Sequence, residues 1–308
     1  MISTQQIQYI LQLTETKNFS KAADECFVTQ PTLSMQLKKA EEMLGFLIFD
    51  RDKSPLELTP LGKKLLPIIQ EINYHNNAVL QLSKKANGTY IEELTIGIIP
   101  TISAYLIPLV YQKWKKQLTQ TRLIIKENKT EDILELLENK KIDFGIVAGP
   151  MEDTKWKSVD LYTEELLAYT QNKDASIIKT NDLSNQKPWL LSQGNCLRSQ
   201  MMAFCELTST AEEDWNFEGG NMDLLIKMVD MNGGYTLVPK HYKTLLSSVN
   251  GAFHSIKDST TNISPARAII GIQSNRTTKN ESIQKIVQVI QGSLNKLPKK
   301  DFSILNWK

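Results

Sequence analysis

The N-terminal residues carry three short helical patterns in close succession, which constrain the fold more than any other feature. Residues at helical spacing predict a first helix over residues 4–16: Ile7, Ile10, Leu11 and Thr14. Ser20 is placed to cap a second helix, Lys21–Cys26, and a third helix begins at Thr29 or Gln30. The third helix has one buried stripe: Leu33, Leu37, Ala40 and Leu44. Two short helices joined by a tight turn predict a helix-turn-helix.

Polar and basic side chains on the third helix and just after it are candidates for DNA contacts. Small hydroxyls and a glutamine near a helix N-terminus can reach base edges and phosphates. Arg51 and Lys53 open a short extended stretch, Arg51–Leu58, which predicts a wing against the DNA backbone. The candidate DNA-binding residues are Ser20, Thr29, Gln30, Pro31, Thr32, Ser34, Gln36, Lys39, Arg51 and Lys53. An ordinary three-helix core with a solvated polar face would show a similar pattern, so these residues alone leave both interpretations open.

A longer, ordered sequence match favours DNA binding. The stretch Phe19–Leu65 resembles the winged helix-turn-helix of LysR-type transcriptional regulators. The similarity is carried by Phe19-Ser20-Lys21-Ala22-Ala23, Thr29-Gln30-Pro31-Thr32-Leu33-Ser34, Leu44-Gly45 with Phe49 and Arg51, and Leu58-Thr59-Pro60-Leu61-Gly62. The resemblance implies a DNA-binding domain over residues 1–59 that binds double-stranded promoter DNA and acts on RNA polymerase.

The next segment predicts a linker helix that pairs with a second copy of the chain. Apolar residues recur in steps of three and four, a heptad seam made of Leu65, Ile68, Ile72, His75, Val79, Leu82 and Ala86. Pro67 should bend this helix near its start, and Asn87-Gly88-Thr89 closes it as a hinge. The LysR-type resemblance implies a dimerisation helix over residues 60–88 and a homotetramer built from two kinds of dimer contact.

From Glu93 onward, strand-like and helix-like stretches alternate, which predicts an α/β domain with a parallel sheet covered by helices. The predicted strands are Leu94–Ile99, Leu123–Lys126, Ile142–Ala148, Trp189–Ser192, the turn and strand Gly233–Pro239, and Ala268–Ile272. The resemblance implies two Rossmann-like lobes around a cleft, similar to periplasmic solute-binding proteins. Lobe 1 would hold residues 89–165 and 268–308, and lobe 2 residues 166–267, all within one regulatory domain over residues 89–308.

Two of the three cysteines, Cys196 and Cys205, lie nine positions apart in the second lobe. Free cysteines are usually small apolar core residues, but a thiolate near an arginine such as Arg198 is reactive. Nine residues of helix rise about 13.5 Å, whereas a disulfide needs Cα atoms within about 7 Å. If the segment is helical when reduced, a Cys196–Cys205 disulfide must therefore unwind it.

This cysteine spacing is similar to the redox segment of OxyR-type peroxide sensors within the LysR-type group. The resemblance implies that hydrogen peroxide oxidises Cys196, that Cys205 then forms a disulfide with it, and that a thiol reductant resets the pair. It also implies a peroxide pocket lined by Thr101 and Thr130, with Arg267 as its arginine; Ser103, Asn195 and Arg198 complete the candidate set. Asn195 departs from the group, where histidine precedes the first cysteine, so proton assistance must come from elsewhere.

Other classes of protein are less consistent with this sequence. No apolar run approaches the roughly 20 residues of a membrane span, and the first residues lack a secretory pattern. The odd number of cysteines suits a reducing compartment, so a cytoplasmic protein is expected. No metal-spaced cluster, phosphate loop or nucleophile elbow is present, which favours a protein that is not an enzyme and needs no cofactor or metal. Two alternatives stay open: a LysR-type sensor of a small carboxylate with structural cysteines, and a thiol peroxidase.

Overall fold

In a computed structural model of the chain, the described residues are 1–86, 91–151, 155–174, 177–207, 220–246, 249–275, 277–294, 297–298 and 301–307. They form two compact units: Met1–Glu92 with Glu138–Lys140, and Glu93–Leu137 with Lys141–Lys308. Each unit has its own apolar core. The predicted hinge at residues 87–89 lies outside the described residues, and the predicted domain limits remain predictions.

The N-terminal unit is a helical domain with one short hairpin. Its elements are α1 (Thr4–Thr16), α2 (Phe19–Glu25), α3 (Gln30–Leu44), β1 (Phe49–Asp50), β2 (Glu57–Leu58) and α4 (Pro60–Ala86). The predicted first helix is confirmed, with Ser3 and Gln6 forming a reciprocal cap at its start. Apolar side chains from α1, α2, α3 and α4 fill the core, among them Ile10, Leu13, Ala22, Leu33, Leu37 and Ile69. β1 and β2 pair antiparallel in a short hairpin at the place predicted for a wing. The predicted extended stretch Arg51–Leu58 is wrong in its bounds, because Arg51 and Lys53 lie in the turn between the two strands and only Glu57–Leu58 is a strand.

Ser20 does not cap α2, contrary to the sequence prediction. The helix begins at Phe19, and Asn18 is its N-cap, accepting a hydrogen bond from the backbone N–H of Lys21 at 3.0 Å. Because the asparagine side chain already satisfies this N–H, no capping role is left for a residue inside the first turn. The Ser20 hydroxyl instead donates to the Gln30 side-chain oxygen at 3.0 Å, which links α2 to the start of α3.

Helix α4 continues through Pro67 and carries an exposed apolar stripe. Ile69 is fully buried in the N-terminal core, whereas Ile68, Ile72 and Val79 are 58%, 43% and 67% exposed. The exposed residues belong to the predicted heptad seam. They are the apolar side chains that a coiled-coil partner would cover.

The C-terminal unit is built on one sheet flanked by helices. The strands are β3 (Glu92–Ile98), β4 (Thr121–Glu127), β5 (Phe144–Gly149), β6 (Trp156–Thr170), β7 (Ile177–Lys179), β8 (Tyr235–Pro239), β9 (Ala252–Lys257), β10 (Ser264–Ser274) and β11 (Phe302–Ile304). The helices are α5 (Pro100–Gln117), α6 (Thr130–Glu138), α7 (Thr180–Leu183), α8 (Cys196–Phe204), α9 (Met222–Asn232), a 3-10 helix (Lys240–Leu245) and α10 (Asn280–Ser293). The strand order is β4-β3-β5-β10-β6-β9-β7, with β11 paired to β10 and β8 to β6.

The sheet is mixed, so the prediction of a parallel sheet is wrong in this respect. Strands β3 and β5 are parallel, as predicted, but β10 runs antiparallel to both β5 and β6. The reason is that β10 returns from late in the chain and inserts between these two strands. Strand β6 pairs with β10 up to Glu165 and with β8 and β9 from Leu166 onward, which gives the C-terminal unit its two lobes.

The segment Trp189–Ser192 is not a strand, contrary to the sequence prediction. An isolated bridge joins Pro188 to Tyr235, with the backbone N–H of Trp189 donating to the carbonyl of Tyr235 at 2.8 Å, and Leu191 is a second single-bridge residue. Side chains provide further contacts. The Trp189 indole N–H donates to the carbonyl of Gly233 at 2.8 Å, and the Thr236 hydroxyl donates to the carbonyl of Trp189 at 2.8 Å. Its apolar residues are buried without a strand ladder, which the sequence pattern does not distinguish from a strand.

Within the described residues, every helix falls short of the length and apolarity that a bilayer crossing requires.

Candidate functional site

Cys196 is the first residue of α8 and is buried in the apolar core of the C-terminal unit, with 6% of the residue exposed. Burial raises the pKa of the Cys196 thiol above its ordinary value, because a thiolate loses hydration there. The guanidinium of Arg267, the backbone N–H groups of Leu197 and Cys196, and the Thr130 hydroxyl lower the same pKa without overcoming burial. The site therefore holds a neutral thiol beside groups that favour its anion.

Arg267 on β10 is fully buried and rigidly held. Its Nε lies 2.6 Å from Oε1 of Glu164 on β6, in an ion pair whose two side chains are both 0% exposed. Nη1 donates to the Thr101 hydroxyl at 2.9 Å, and Nη2 to the Thr101 carbonyl at 3.1 Å. Residues from β10, β6 and α5 thus fix the guanidinium beside Cys196.

Thr130 is the first residue of α6 and is 2% exposed. Among the residues that the structure describes, its hydroxyl oxygen has no hydrogen-bond partner. The Thr130 hydroxyl is one of the groups that lower the pKa of Cys196, as a donor to a thiolate does. The structure thus places Arg267 in direct contact with Thr101, and both Arg267 and Thr130 act on the Cys196 thiol. Their role as a peroxide pocket stays a prediction.

The remaining three candidate pocket residues use their side chains elsewhere. The Ser103 hydroxyl donates to the carbonyl of Pro100 at 3.1 Å and also contacts Glu127. The Asn195 amide donates to the carbonyl and the hydroxyl of Ser192, each at 3.0 Å. Arg198 Nη1 donates to the carbonyl of Leu191 at 2.9 Å. Asn195 and Arg198 thus stabilise the turn that leads into α8.

Sequence reasoning missed the polar groups behind Arg267. Oε1 of Glu164 also accepts a hydrogen bond from the Tyr105 hydroxyl at 2.9 Å, and Tyr105 in turn contacts the Tyr162 hydroxyl. The His241 ring lies 5.6 Å from the Tyr105 ring and 5.9 Å from the Tyr162 ring, centroid to centroid. One signal was available: Glu164 and Glu165 interrupt an apolar stretch, and a buried carboxylate requires a cationic partner.

Cys205 lies at the other end of α8, where it is the C-cap residue. Its backbone N–H donates to the carbonyl of Met201 at 3.0 Å, so the helix is intact between the two thiols. Burial raises the pKa of Cys205 to about 11, although the Tyr235 hydroxyl acts in the opposite direction. Cys26, Cys196 and Cys205 are all free thiols.

The candidate DNA-binding residues lie on α2, α3 and the wing. Exposed members of the set are Ser20, Thr29, Gln30, Pro31, Lys39, Arg51 and Lys53, and half-buried members are Thr32, Ser34 and Gln36. The Thr29 and Thr32 hydroxyls lie 2.8 Å apart at the start of α3. Gln36 is turned toward α1, because its side-chain oxygen accepts a hydrogen bond from Gln6 at 3.2 Å.

A buried carboxylate anchors the wing to α3. Glu41 accepts hydrogen bonds from the backbone N–H groups of Ile48 at 2.9 Å and Phe49 at 3.4 Å. Its second oxygen pairs with Arg51 at 2.8 Å. Lys53 pairs with Glu57 across the hairpin at 2.7 Å. Arg51 is thus positioned by the protein itself, with its side chain 42% exposed.

Two family profiles match this chain. The profile of the bacterial regulatory helix-turn-helix protein, lysR family, matches residues 4–63. The profile of the LysR substrate binding domain matches residues 87–248. Together they match most of the N-terminal unit and the C-terminal unit up to residue 248.

Curated relatives match about three quarters of the chain. A hydrogen peroxide-inducible genes activator from Haemophilus influenzae is 31% identical over 242 residues, which are 76% of this chain and 79% of the relative. The DNA-binding transcriptional dual regulator OxyR from Escherichia coli K12 is 30% identical over 237 residues, 76% and 77% of the two chains. The HTH-type transcriptional regulator EstR from Acinetobacter baylyi is 30% identical over 241 residues, 77% and 80% of the two chains.

Solved structures share the fold. A full-length OxyR variant from Pseudomonas aeruginosa superposes with a TM-score of 0.76 at 23% identity, covering 96% of this chain and 99% of that one. CbnR, a LysR family transcriptional regulator, superposes with a TM-score of 0.62 at 16% identity, covering 96% and 100%. The predicted resemblance is confirmed: the chain belongs to the LysR family of DNA-binding transcriptional regulators, and its relatives include OxyR and other peroxide-inducible gene activators.

Proposed function

We propose that this chain is a hydrogen-peroxide-sensing regulator of transcription that is switched by oxidation of Cys196 and by a Cys196–Cys205 disulfide. The observation that carries the proposal is the position of the buried Cys196 thiol at the N-terminus of α8, where Arg267 and the Thr130 hydroxyl act on it electrostatically. These groups favour a thiolate, which is the form that attacks peroxide. Relatives named as peroxide-inducible gene activators support the same assignment.

The first step oxidises Cys196. Its sulfur attacks one peroxide oxygen, so that an S–O bond forms while the O–O bond breaks, and the hydroxide that leaves takes up a proton and becomes water. The sulfur is oxidised by two electrons to a sulfenic acid. The three hydrogen bonds described for Arg267 use three of the five N–H groups of a guanidinium, so the remaining N–H groups can bind the peroxide or the leaving oxygen.

The second step joins the two cysteines. The Cys205 sulfur attacks the oxidised Cys196 sulfur, the S–S bond forms, the S–O bond breaks, and a second water leaves with the Cys205 proton. Because the two residues lie at opposite ends of the nine-residue helix α8, this step requires that α8 unwinds. Formation of the disulfide thereby rearranges the second lobe. A thiol reductant breaks the disulfide again by thiol–disulfide exchange and so restores the reduced form.

The output is a change in promoter binding and in contact with RNA polymerase. We propose that the helix-turn-helix binds DNA through four side chains, those of Thr29, Thr32 and the wing residues Arg51 and Lys53. We further propose a homotetramer that assembles partly through α4. A reducing compartment such as the cytoplasm would keep the thiols ready to react.

Three cysteine variants test the proposal by promoter binding and transcription before and after peroxide. Cys196→Ser is expected to lose the response, and Cys205→Ser to reach the sulfenic acid without a disulfide. Cys26→Ser is the matched control, because this half-buried thiol lies in the N-terminal unit at the end of α2, and it should respond like the native chain. Full peroxide-induced transcription in Cys196→Ser would overturn the proposal.

A second candidate function is a regulator that binds a small carboxylate ligand, with both cysteines structural. The observation in its favour is that burial raises the pKa of both thiols, as expected for inert core cysteines. In this case the buried Arg267 would bind the ligand carboxylate. A copurifying ligand, together with promoter binding that peroxide leaves unchanged, would favour this alternative. Sustained peroxide turnover with a thiol reductant would instead indicate a thiol peroxidase.

A further inference from the structure

The buried ion pair behind Cys196 gives the pocket a second determinant of reactivity. Glu164 and Arg267 are both 0% exposed, and their Nε and Oε1 atoms lie 2.6 Å apart. We propose that Glu164 is a positioning residue that offsets the charge of Arg267 and thereby sets the peroxide concentration at which Cys196 reacts. This inference rests on the proposed function and adds to it a residue that neither the sequence pattern nor the family match singles out.

The charge of Arg267 is the link between Glu164 and the thiol. Arg267 interacts electrostatically with both groups, and all three side chains are buried, so solvent screens these interactions weakly. A carboxylate in direct contact with the guanidinium cancels part of the field that favours a thiolate. Without that carboxylate, the same guanidinium would favour the thiolate more strongly.

Other polar groups around the pair do not supply a competing charge. The Tyr105 hydroxyl from α5 donates to Glu164 at 2.9 Å, and Tyr162 contacts Tyr105. Burial lowers the pKa of His241 on the 3-10 helix, so its ring is held neutral near pH 7. Lys240 pairs with the adjacent carboxylate Glu165 at 2.9 Å rather than with Glu164. Among the described ion pairs, Arg267 is thus the cation that contacts Glu164.

The test is the pH dependence of Cys196 alkylation in the reduced full-length chain, using iodoacetamide and mass spectrometry to assign the site. Glu164→Gln keeps the shape and a hydrogen-bond acceptor but removes the charge. We expect alkylation at pH 7 to become about tenfold faster, with the profile displaced to lower pH by about one unit. An unchanged midpoint would overturn the proposal; a rate that rises equally at every pH would indicate local loosening and would overturn it too.

Glu165→Gln is the matched control, because it makes the same change one residue away on a carboxylate that faces Lys240 and Ser255. Its alkylation profile should match that of the native chain.

If Glu164→Gln does not fold, the double variant Glu164→Gln/Arg267→Gln removes both buried charges and avoids an unpaired one. We expect its alkylation rate at pH 7 to lie within about threefold of the native rate, and that of Arg267→Gln to be about tenfold slower. A double variant as slow as Arg267→Gln would show that Glu164 offsets nothing.

These measurements are separable from the proposed function. Alkylation reports the thiol without peroxide, so it can succeed or fail independently of signalling. If native protein forms no disulfide with peroxide, the proposed function fails while the alkylation result stands. If the disulfide forms normally but Glu164→Gln leaves the profile unchanged, the role of Glu164 fails alone.

Discussion

At the scale of single residues, burial and charge act on Cys196 in opposite directions. Burial raises the pKa of the thiol, and Arg267, Thr130 and the start of α8 lower it without cancelling the effect. Below its pKa a thiol gains about tenfold in thiolate fraction with each pH unit. We therefore expect the rate of sulfenic acid formation, trapped with dimedone, to rise roughly tenfold per unit between pH 6 and 8. A flat profile over this range would mean that the thiolate is already formed at pH 6.

Several residues of the candidate site can be proposed from the sequence at this scale, but not the groups that support them. Cys196 and Cys205 stand out because the chain is poor in cysteine, and Thr101 and Thr130 follow strands at positions where ligands bind. Arg267 was found by resemblance. Glu164 was missed because its partner lies 103 residues away, and no local pattern indicates which cation a buried carboxylate meets.

At the scale of elements, α8 is tied to the C-terminal strand. Gln200, buried in the middle of α8, donates to the carbonyl of Leu305 at 3.3 Å. Leu305 follows β11, and its N–H donates to the carbonyl of Ala266 at 2.9 Å, next to Arg267. The proposed unwinding of α8 would break the Gln200 bond, so the residue that follows β11 would lose one of its attachments.

We expect the amides of α8 and β11 to exchange hydrogen faster in the oxidised protein, because α8 would lose its own hydrogen bonds and Leu305, next to β11, would lose its bond to Gln200. Hydrogen exchange with mass spectrometry measures this directly. Cys205→Ser treated with peroxide is the control, since its helix has no partner thiol and should stay protected. Unchanged protection of β11 in fully disulfide-bonded protein would contradict the link.

The wing gives a second prediction at this scale. Glu41→Ala removes the acceptor of two backbone N–H groups and the partner of Arg51, and we expect a loss of about 2–4 kcal/mol in the stability of the N-terminal unit. Glu42→Ala is the matched control: its ion pair with Lys38 is long, at 3.9 Å, and exposed, so a change of at most about 0.5 kcal/mol is expected. Thermal unfolding of the full chain measures both, and equal midpoints for the two variants would refute the role of Glu41.

Elements with strong local signals were predicted best. Helix α1 has a capping pair and clear periodicity, so its bounds agree with the sequence pattern. Strand β6 was not predicted, because carboxylates interrupt its apolar run and their burial depends on distant partners. The parallel sheet and the strand over Trp189–Ser192 were wrong for a related reason: strand direction and ladder pairing are set by tertiary contacts that a single segment does not encode.

At the scale of the whole molecule, the exposed seam of α4 predicts self-association. Ile72 is 43% exposed on the stripe that the heptad pattern assigns to a second copy. Ile72→Glu places a charge in this seam and should reduce the mass measured by sedimentation at equilibrium, whereas Asn77→Glu, exposed on the same helix but outside the seam, should not. Identical masses for the two variants would contradict assembly through this face.

The central claim is that a thiol reaction at Cys196 switches a DNA-binding protein, and mass spectrometry of peroxide-treated, promoter-bound protein tests it most directly. With rising peroxide, we expect the Cys196–Cys205 disulfide to accumulate in step with the change in promoter binding, while Cys26 stays free. Two persistent free thiols in α8 at peroxide concentrations that change promoter binding, or a complete disulfide with unchanged promoter binding, would contradict the account.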